Sequence, residues 1–310
     1  MRENISLGPG REFDAVRRML GIWGDAAGGI GDDAAVLDVP GGERLVVSVD
    51  SSVENVHFRR AWLPARAIGW RAVTSALSDL AAMAAVPMGV LLSLSLPAEW
   101  RSELEELAGG MGDAVLSAGT RIVGGDISAA SELAISVTVL GHASAPLTRA
   151  GALPGDTLYL TGSLGGPRAA VASLQRGEQP SLAALSRFEH PVPRLREARW
   201  LAAHGARAAI DISDGLGGDA AHLAAASEVS VELRLDDLPT LAGVPVLEAV
   251  GSGEEYELLV AAPAFDTSPF EREFGIALTA VGQVKHGAPG VQAWLGGKRV
   301  ALTGGFDHLS

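Results

Sequence analysis

Hydrophobic residues along the chain follow two spacings, and each spacing predicts one type of element. Short apolar runs that end at Gly, Pro or charged residues are typical of strands, and they cover residues 44–49, 133–139, 157–161, 208–210, 229–235 and 256–261. Apolar residues spaced three or four apart predict helices, and these cover residues 65–85, 103–118, 167–176, 193–204 and 216–226. Because strands and helices are interspersed in both halves, the pattern predicts a mixed α/β or α+β fold.

One segment interrupts this pattern near the middle of the chain. Residues 141–156 read GHASAPLTRAGALPGD, which is rich in small residues, Gly and Pro. Such composition is typical of a connection between domains. Since 310 residues are also enough for two hydrophobic cores, we predict two domains, 1–145 and 146–310.

The composition narrows the classes of protein to consider. A hydrophobic content of 47% with 20% charged residues is that of a globular chain. The net charge of −13 disfavours a surface that binds nucleic acid or anionic membrane, because phosphates would be repelled. The absence of cysteine excludes disulfides, thiolate-bound metals and cysteine nucleophiles.

Neither a secretion signal nor a membrane span is predicted. The first ten residues are too polar for a signal peptide. The most apolar stretch, residues 80–96, is interrupted by Pro87, Ser93 and Ser95, which disfavours a spanning helix. We therefore expect a soluble, cytoplasmic protein that contacts neither membrane nor nucleic acid.

Lysine usage excludes two common ways of binding nucleotide phosphates. The only lysines are Lys285 and Lys298, and neither lies in a Gly-x-x-x-x-Gly-Lys-Ser/Thr loop. P-loop enzymes and protein kinases both place a lysine on the phosphates. A phosphate ligand would therefore have to be neutralised by metal, arginine and backbone amides.

Aspartates recur at predicted strand ends and turns across both predicted domains. Two carboxylates about 4 Å apart repel by roughly 4 kcal/mol at an effective dielectric constant of about 20, so a cluster of them is best explained by a bound cation. Oxygen-only ligands suit Mg²⁺ or Ca²⁺, and Mg²⁺ commonly reaches substrates through phosphate oxygens. The sequence predicts a Mg²⁺-dependent enzyme of a phosphorylated substrate. The motifs concerned are Asp32-Asp33, Asp50, Asp79, Gly124-Gly125-Asp126 and Asp211-Ile212-Ser213-Asp214.

Each motif also has a purely structural interpretation. The Gly31-Asp32 pair before Asp33 is typical of a turn, and Asp50 after an apolar strand could be a cap or turn acid. Gly124-Gly125-Asp126 could equally be a β-turn. Asp79 favours function more strongly, because apolar residues such as Ala76, Leu77 and Leu80 surround it on the predicted helix, and an unpaired buried charge is costly.

The Asp211 motif carries the strongest of these signals. Two acids and Ser213 lead into a predicted helix, whose N-terminal amides can bind phosphate while the acids bind metal. A simple capping sequence would explain only one of Asp211, Asp214 and Asp219.

Four further candidates are weaker. His57 and Arg149 could contact a ligand or be solvated surface residues. Glu254 could bind substrate or belong to a surface strand with alternating glutamates. Phe306 is more often a residue that packs the C-terminus onto the core.

The ordered series of motifs closely resembles the thiamine-monophosphate kinase family, from about residue 10 to the C-terminus. That family belongs to the aminoimidazole ribonucleotide synthetase superfamily. The resemblance implies an N-terminal α/β domain that binds metal and ATP and pairs into a dimeric β-barrel-like core, and a C-terminal α+β domain that completes the cleft. The motifs are Gly-Ile-Gly-Asp-Asp-Ala-Ala, Ser-Val-Asp with His57-Phe58, Leu-Ser-Asp79-Leu-Ala-Ala-Met, Gly-Gly-Asp126, Leu-Thr-Arg149, Pro-Gly-Asp156, Asp211-Ile-Ser-Asp-Gly-Leu and Gly-Glu-Glu-Tyr-Glu-Leu.

The resemblance also implies roles for individual residues. The implied reaction is direct in-line transfer of the ATP γ-phosphoryl group to thiamine monophosphate, which needs positioning and several Mg²⁺ ions but no general base. The implied Mg²⁺ ligands are Asp33, Ser48, Asp50, Asp79, Asp126, Asp211 and Asp214. The implied ATP contacts are Gly125, Asp126, Arg149 and Ser213, and the implied substrate contacts are His57, Glu254 and Phe306.

Four positions depart from the family pattern. Val49 stands where Thr is usual, Ala76 where Asn is usual, Glu255 where Asp is usual, and Ala85 where Gly is usual after the Met. Two alternatives therefore stay open: an ATP-dependent ligase or cyclase of the same superfamily, and a non-catalytic binder of nucleotide or divalent metal.

Overall fold

The chain forms two β-sheets with helices packed against and between them. The fold is a computed structural model that describes residues 8–9, 35–38 and 41–302. Within these residues the first sheet has the order β1-β2-β5-β3-β4, and the second has the order β12-β11-β8-β10-β6-β9-β7. The strands of the first sheet are Ala35–Asp38 (β1), Arg44–Val53 (β2), Val86–Leu96 (β3), Ile122–Ala129 (β4) and Ala134–Ala143 (β5). Those of the second sheet are Thr157–Thr161 (β6), Ala208–Asp211 (β7), Ser230–Arg234 (β8), Leu258–Ala262 (β9), Leu278–Lys285 (β10), Gly290–Leu295 (β11) and Lys298–Val300 (β12).

Eight α-helices lie in the described part of the chain. They are Ala65–Ala82 (α1), Leu104–Ser117 (α2), Gly166–Gln175 (α3), Leu182–Glu189 (α4), Leu195–Ala203 (α5), Leu216–Ala226 (α6), Val246–Val250 (α7) and Ser268–Phe274 (α8). A 3₁₀ turn, Ala98–Glu103, precedes α2. None of the helices among these residues combines the length and the apolar character that a bilayer crossing requires.

Helix α1 is the central element of the molecule. It packs on β2 and β5 of the first sheet and on α5 and β7 of the second half. Its apolar residues therefore surround the whole helix, as expected for a helix buried on all sides. Only Arg66, Trp70 and Asp79 of α1 are not buried. The core around α1 is continuous from Leu77 in the first half to Val260 in the second.

Two glycines allow α1 and α2 to pack with their backbones in contact. A Cβ on Gly110 would lie 1.8 Å from the carbonyl oxygen of Arg66, and one on Gly69 would lie 2.1 Å from that of Leu107. No side chain fits at either distance, so the glycines set the spacing of these helices.

The central strands of the second sheet are covered on both faces. Tyr159 and Val260 face the core around α1, whereas Leu158 and Leu259 face a second core beneath α6. Strands buried on both sides consist of continuous apolar residues, which explains the unbroken run Leu258–Ala262. Strand β7 ends between the two cores, at Asp211.

Several predicted boundaries were wrong. Strand β2 continues to Val53, so Asp50 lies within the strand and not at its end. Asp126 likewise lies inside β4 and not at a strand tip. Helix α1 ends at Ala82, because Ala84 has a left-handed φ of 51° and the amide of Ala85 bonds back to the carbonyl oxygen of Leu80.

Mixed sheets with helices confirm the predicted fold class. The strands of the first sheet end at Ala143 and those of the second begin at Thr157. The division into domains 1–145 and 146–310 stays a prediction, as does the dimeric barrel.

Candidate active site

A cavity of about 700 Å³ lies where α1, β2, α3 and two loops of the second half meet. Residues from both halves of the chain line it. The predicted site residues that line it are Asp50, His57, Asp79, Asp211, Ser213, Asp214 and Glu254. The cavity has enough volume for a small-molecule ligand.

Helix α1 and strand β2 supply the first part of the site. Asp79, the partly exposed acid of α1, accepts a 2.5 Å hydrogen bond from the Ser48 hydroxyl on β2. Asp50, two residues further along β2, also lines the cavity. Its Oδ1 accepts the Ser51 amide at 2.7 Å. The predicted residues Ser48, Asp50 and Asp79 are therefore neighbours.

The end of β7 and the start of α6 supply the second part. Buried Asp211 accepts a 2.6 Å hydrogen bond from Ser78 of α1, which ties the two parts together. Asp219 is buried, and its carboxylate accepts the amides of Asp214 and Gly215 at 3.3 and 3.1 Å. Asp219 thus holds the turn before α6, whereas Asp211 and Asp214 line the cavity.

A second loop, residues 253–257, pairs with this turn. The Glu254 amide donates to the Ser213 carbonyl at 2.6 Å, and the Ile212 amide donates to the backbone carbonyl of Glu257 at 2.8 Å. A Cβ on Gly253 would lie 2.6 Å from the Ser213 oxygen, so only glycine permits this contact. Glu254 and Tyr256 have left-handed φ values of 56° and 53°, which are uncommon outside glycine and occur at functional loops.

The acids beside Glu254 form a buried network, contrary to the interpretation as a surface strand. Burial raises the pKa of Glu255 to about 7, against the opposing effect of Arg187, whose Nη2 lies 3.1 Å from Oε2. Although burial alone would raise it, ion pairing with Arg194 at 2.6 Å lowers the pKa of Glu257 below its ordinary value. This network anchors the 253–257 loop, which lines the cavity through Gly253, Glu254 and Tyr256.

The structure does not bring every predicted residue to the cavity. Gly125 and Asp126 lie on β4, whose residues are all exposed. Strand register places Gly125 beside Leu92, on the same side as Asp50, and Asp126 beside Ser93, on the other side of the sheet. Arg149 does not line the cavity, and its carbonyl accepts the Ser227 hydroxyl. Asp33 and Phe306 lie outside the described residues.

The donor set fits Mg²⁺ in its chemistry. Asp50, Asp79, Asp211 and Asp214 offer hard carboxylate oxygens to one cavity. Among residues 8–9, 35–38 and 41–302, however, no three His, Cys, Asp or Glu side chains converge as a ready-made metal cage. Carboxylates distributed around a cavity in this way suit Mg²⁺, which usually keeps several water ligands and binds one or two carboxylates together with substrate phosphates.

Sequence reasoning missed several residues of the cavity wall. Ser75, Trp62, Arg168 and Phe188 all line it, and Ser78 holds Asp211. For α1 a signal existed in the sequence, because Arg71, Ser75, Ser78 and Asp79 follow helical spacing on one face. For Trp62 and Phe188 there was none, because aromatic residues in such a chain are typical of the core.

Comparison with known families defines the class of protein. The model of the N-terminal domain of AIR synthase related proteins matches residues 31–143. The model of their C-terminal domain matches residues 154–289. A chain with these two domains is an AIR synthase related protein.

Individual relatives narrow this class. The chain is 35% identical over 280 residues to thiamine-monophosphate kinase of Rhodopirellula baltica, covering 83% of each chain. It is 33% identical over 321 residues to that of Escherichia coli O157:H7, covering 97% of this chain and 96% of the relative. The solved structure of AaThiL complexed with AMPPCP and TMP superimposes with a TM-score of 0.84 at 30% identity, covering 96% of this chain and 97% of that one. The chain therefore belongs to the thiamine-monophosphate kinase family.

Proposed function

We propose that the protein transfers the γ-phosphoryl group of ATP directly to the phosphate of thiamine monophosphate, giving thiamine diphosphate and ADP. The observation that carries this proposal is the shared cavity, where acids from α1, β2 and the α6 turn meet His57 and Glu254. Support comes from the kinase relatives and from AaThiL, which was solved with AMPPCP and TMP.

The acids would hold several Mg²⁺ ions between the two anionic reactants. When bound, these ions would neutralise phosphate charge, which is the main requirement of phosphoryl transfer. The accepting phosphate oxygen is already ionised, so no residue needs to act as a general base. The proposed ligands are Ser48, Asp50, Asp79, Asp211 and Asp214. Asp33, outside the described residues, and Asp126, on the other side of the first sheet, are proposed as ligands from the family resemblance alone.

The remaining residues would orient the reactants. Ser213 lies at the turn before α6, where helix amides favour phosphate, and Gly125, Asp126 and Arg149 are also proposed to contact ATP. His57 accepts the Val53 amide on Nδ1 at 3.1 Å, which places the proton of the neutral ring on Nε2. His57, Glu254 and Phe306 are proposed to hold thiamine monophosphate.

A homodimer is proposed through the open edge of the first sheet. Every residue of β4 is exposed, including Ile122, Val123 and Ile127, and the neighbouring Leu91 is also exposed. An apolar edge strand of this length invites pairing. A second copy would cover it, and sedimentation of the purified protein at monomer mass would contradict this. We also infer a cytoplasmic location, which fits the use of ATP, and no nucleic-acid partner.

Product analysis tests the proposed reaction. Purified protein is incubated with ATP, Mg²⁺ and either thiamine monophosphate or thiamine. Thiamine diphosphate and ADP in equal amounts, from the monophosphate alone, are expected. ATP binding without ADP release would support a non-catalytic binder, and ADP release with another acceptor would support a related ligase or cyclase.

A further inference from the structure

A buried arginine lies directly behind the Glu254 end of the cavity. Arg71, on α1, is only 5% exposed. Its Nη2 lies 2.7 Å from Glu254 Oε1, and its Nη1 donates to the carbonyl oxygen of Phe188. The guanidinium also covers the Phe188 ring, with Cζ 4.3 Å from the centroid. One side chain of the first half thus holds both a carboxylate and a backbone segment of the second.

The wall of the cavity separates Arg71 from any ligand. His57, Glu254 and Tyr256 line the main cavity and also a chamber of about 10 Å³ behind it, which is room for roughly one water molecule. Arg71 lines this chamber but not the main cavity. Its effect on a ligand must therefore pass through the wall, and Glu254 is the wall residue with which it forms an ion pair.

Glu254 is fixed from two directions. Its backbone has the left-handed φ of 56° and is tied to Ser213 by a 2.6 Å hydrogen bond. Its side chain, about one-third exposed, is tied to Arg71. A strained backbone persists only where its surroundings determine it fully, and Arg71 supplies the side-chain part of that constraint.

We infer that Arg71 is a positioning residue that sets the orientation of the Glu254 carboxylate toward the phosphoryl acceptor. The inference rests on the proposed function. Arg71 occupies Oε1 and compensates the charge, so Oε2 is presented as a fixed hydrogen-bond acceptor and not as a mobile anion. The planar guanidinium can contact Glu254 and the Phe188 carbonyl together, which a lysine ammonium cannot do with the same geometry.

A purely structural role for Arg71 gives different expectations. If Arg71 only joined the two halves through Phe188, its loss would lower the melting temperature and affect both substrates alike. A positioning role requires instead a selective effect on the acceptor that depends on Glu254. Kinetics of single and double variants separate the two roles.

The test compares Arg71→Met, Arg71→Lys, Glu254→Gln and the Arg71→Met/Glu254→Gln double variant with the unaltered protein. Arg66→Met is the matched control, because Arg66 is an exposed arginine of the same helix that pairs with Asp113. Arg71→Met is expected to raise KM for thiamine monophosphate by about tenfold or more while KM for ATP changes by less than about twofold. Arg71→Lys should be intermediate and Arg66→Met unchanged.

When Glu254→Gln is already present, Arg71→Met should raise KM for thiamine monophosphate by less than about a further twofold. Independent, multiplying effects of the two substitutions would overturn the inference, as would equal loss of affinity for both substrates. If Arg71→Met does not fold, Arg71→Lys takes its place: its effect on KM for thiamine monophosphate is compared with and without Glu254→Gln, and multiplying effects again overturn the inference. Calorimetric titration of thiamine monophosphate without ATP separates the proposals: binding without turnover defeats only the proposed function, and unchanged affinity in Arg71→Met defeats only the positioning role.

Discussion

At the scale of single residues, the site contains two groups of acids: one accepts hydrogen bonds from serine hydroxyls, and the other forms ion pairs with arginines. Asp79 and Asp211 each accept a hydroxyl hydrogen bond, from Ser48 and Ser78 respectively, and both line the cavity. Glu255 and Glu257 do not line the cavity and are buried in ion pairs with Arg187 and Arg194. Asp79 and Asp211 are thus positioned to bind ligands, whereas the Glu255 network holds the 253–257 loop in place.

Replacing Asp79 by Asn tests the first group. Asn keeps an oxygen that can accept the Ser48 hydroxyl but loses the charge that would attract a cation, so turnover should fall by at least about 100-fold. The free energy of unfolding without metal should not decrease, because an acid in an apolar helix is costly there. Asp113→Asn, an exposed acid of α2, is the control; near-normal turnover of Asp79→Asn would refute its assigned role.

The pKa of Glu255 predicts a pH-dependent stability. Burial raises this pKa from 4.5 to about 7, so between these pH values the folded protein keeps a proton that the unfolded chain has lost. The stabilising contribution of protonated Glu255 is fully present below about pH 4.5. It is lost as the pH rises from there through about 7, so that the free energy of unfolding falls by about 3 kcal/mol. Denaturant unfolding of the unaltered protein and of Glu255→Gln should diverge across this window; parallel pH profiles would contradict the prediction.

At the scale of elements, helix α1 organises the molecule. It joins the two sheets, carries Asp79 and Ser75 to the cavity, and packs against α2 through Gly69 and Gly110. Ala76, which stands where the family pattern has Asn, is fully buried in the core and does not line the cavity.

The close packing of α1 and α2 can be tested with two glycines of α2. A Cβ on Gly110 would meet the Arg66 carbonyl, so Gly110→Ala should destabilise the protein by about 2–3 kcal/mol. Gly112 has open space around its Cβ position, and Gly112→Ala should stabilise by up to about 1 kcal/mol because alanine favours helix. Equal effects in thermal unfolding would show that the helices do not touch as described.

The hydrophobic spacing of the sequence predicted most of these helices and strands but not the contacts between them. Helical spacing located α1 and α6, and apolar runs located β2, β6 and β9 within a few residues. No strand was predicted over β3, whose apolar stretch was interpreted only as too interrupted for a membrane span; its pairing with β4 and β5 defines it as a strand. Which side of the sheet Asp126 occupies depends on register, which no local pattern contains.

At the scale of the whole molecule, the cavity requires both halves of the chain. Asp50 and Asp79 come from the first half and Asp214 and Glu254 from the second, and the Arg71 and Trp70 side chains hold the halves together by bonds to Phe188 and Pro191. The sequence predicted this shared site from its acids and from family resemblance. The contacts of Arg71 with Glu254 and the Phe188 carbonyl could not be predicted, because they depend on tertiary structure.

The stereochemistry of transfer tests direct transfer between two reactants in one cavity. ATP carrying a γ-thiophosphoryl group made chiral with oxygen isotopes is reacted with thiamine monophosphate, and the configuration of the transferred group is determined. A single in-line displacement predicts inversion at phosphorus. Retention would indicate two displacements through a phosphorylated enzyme and would contradict the proposed direct transfer.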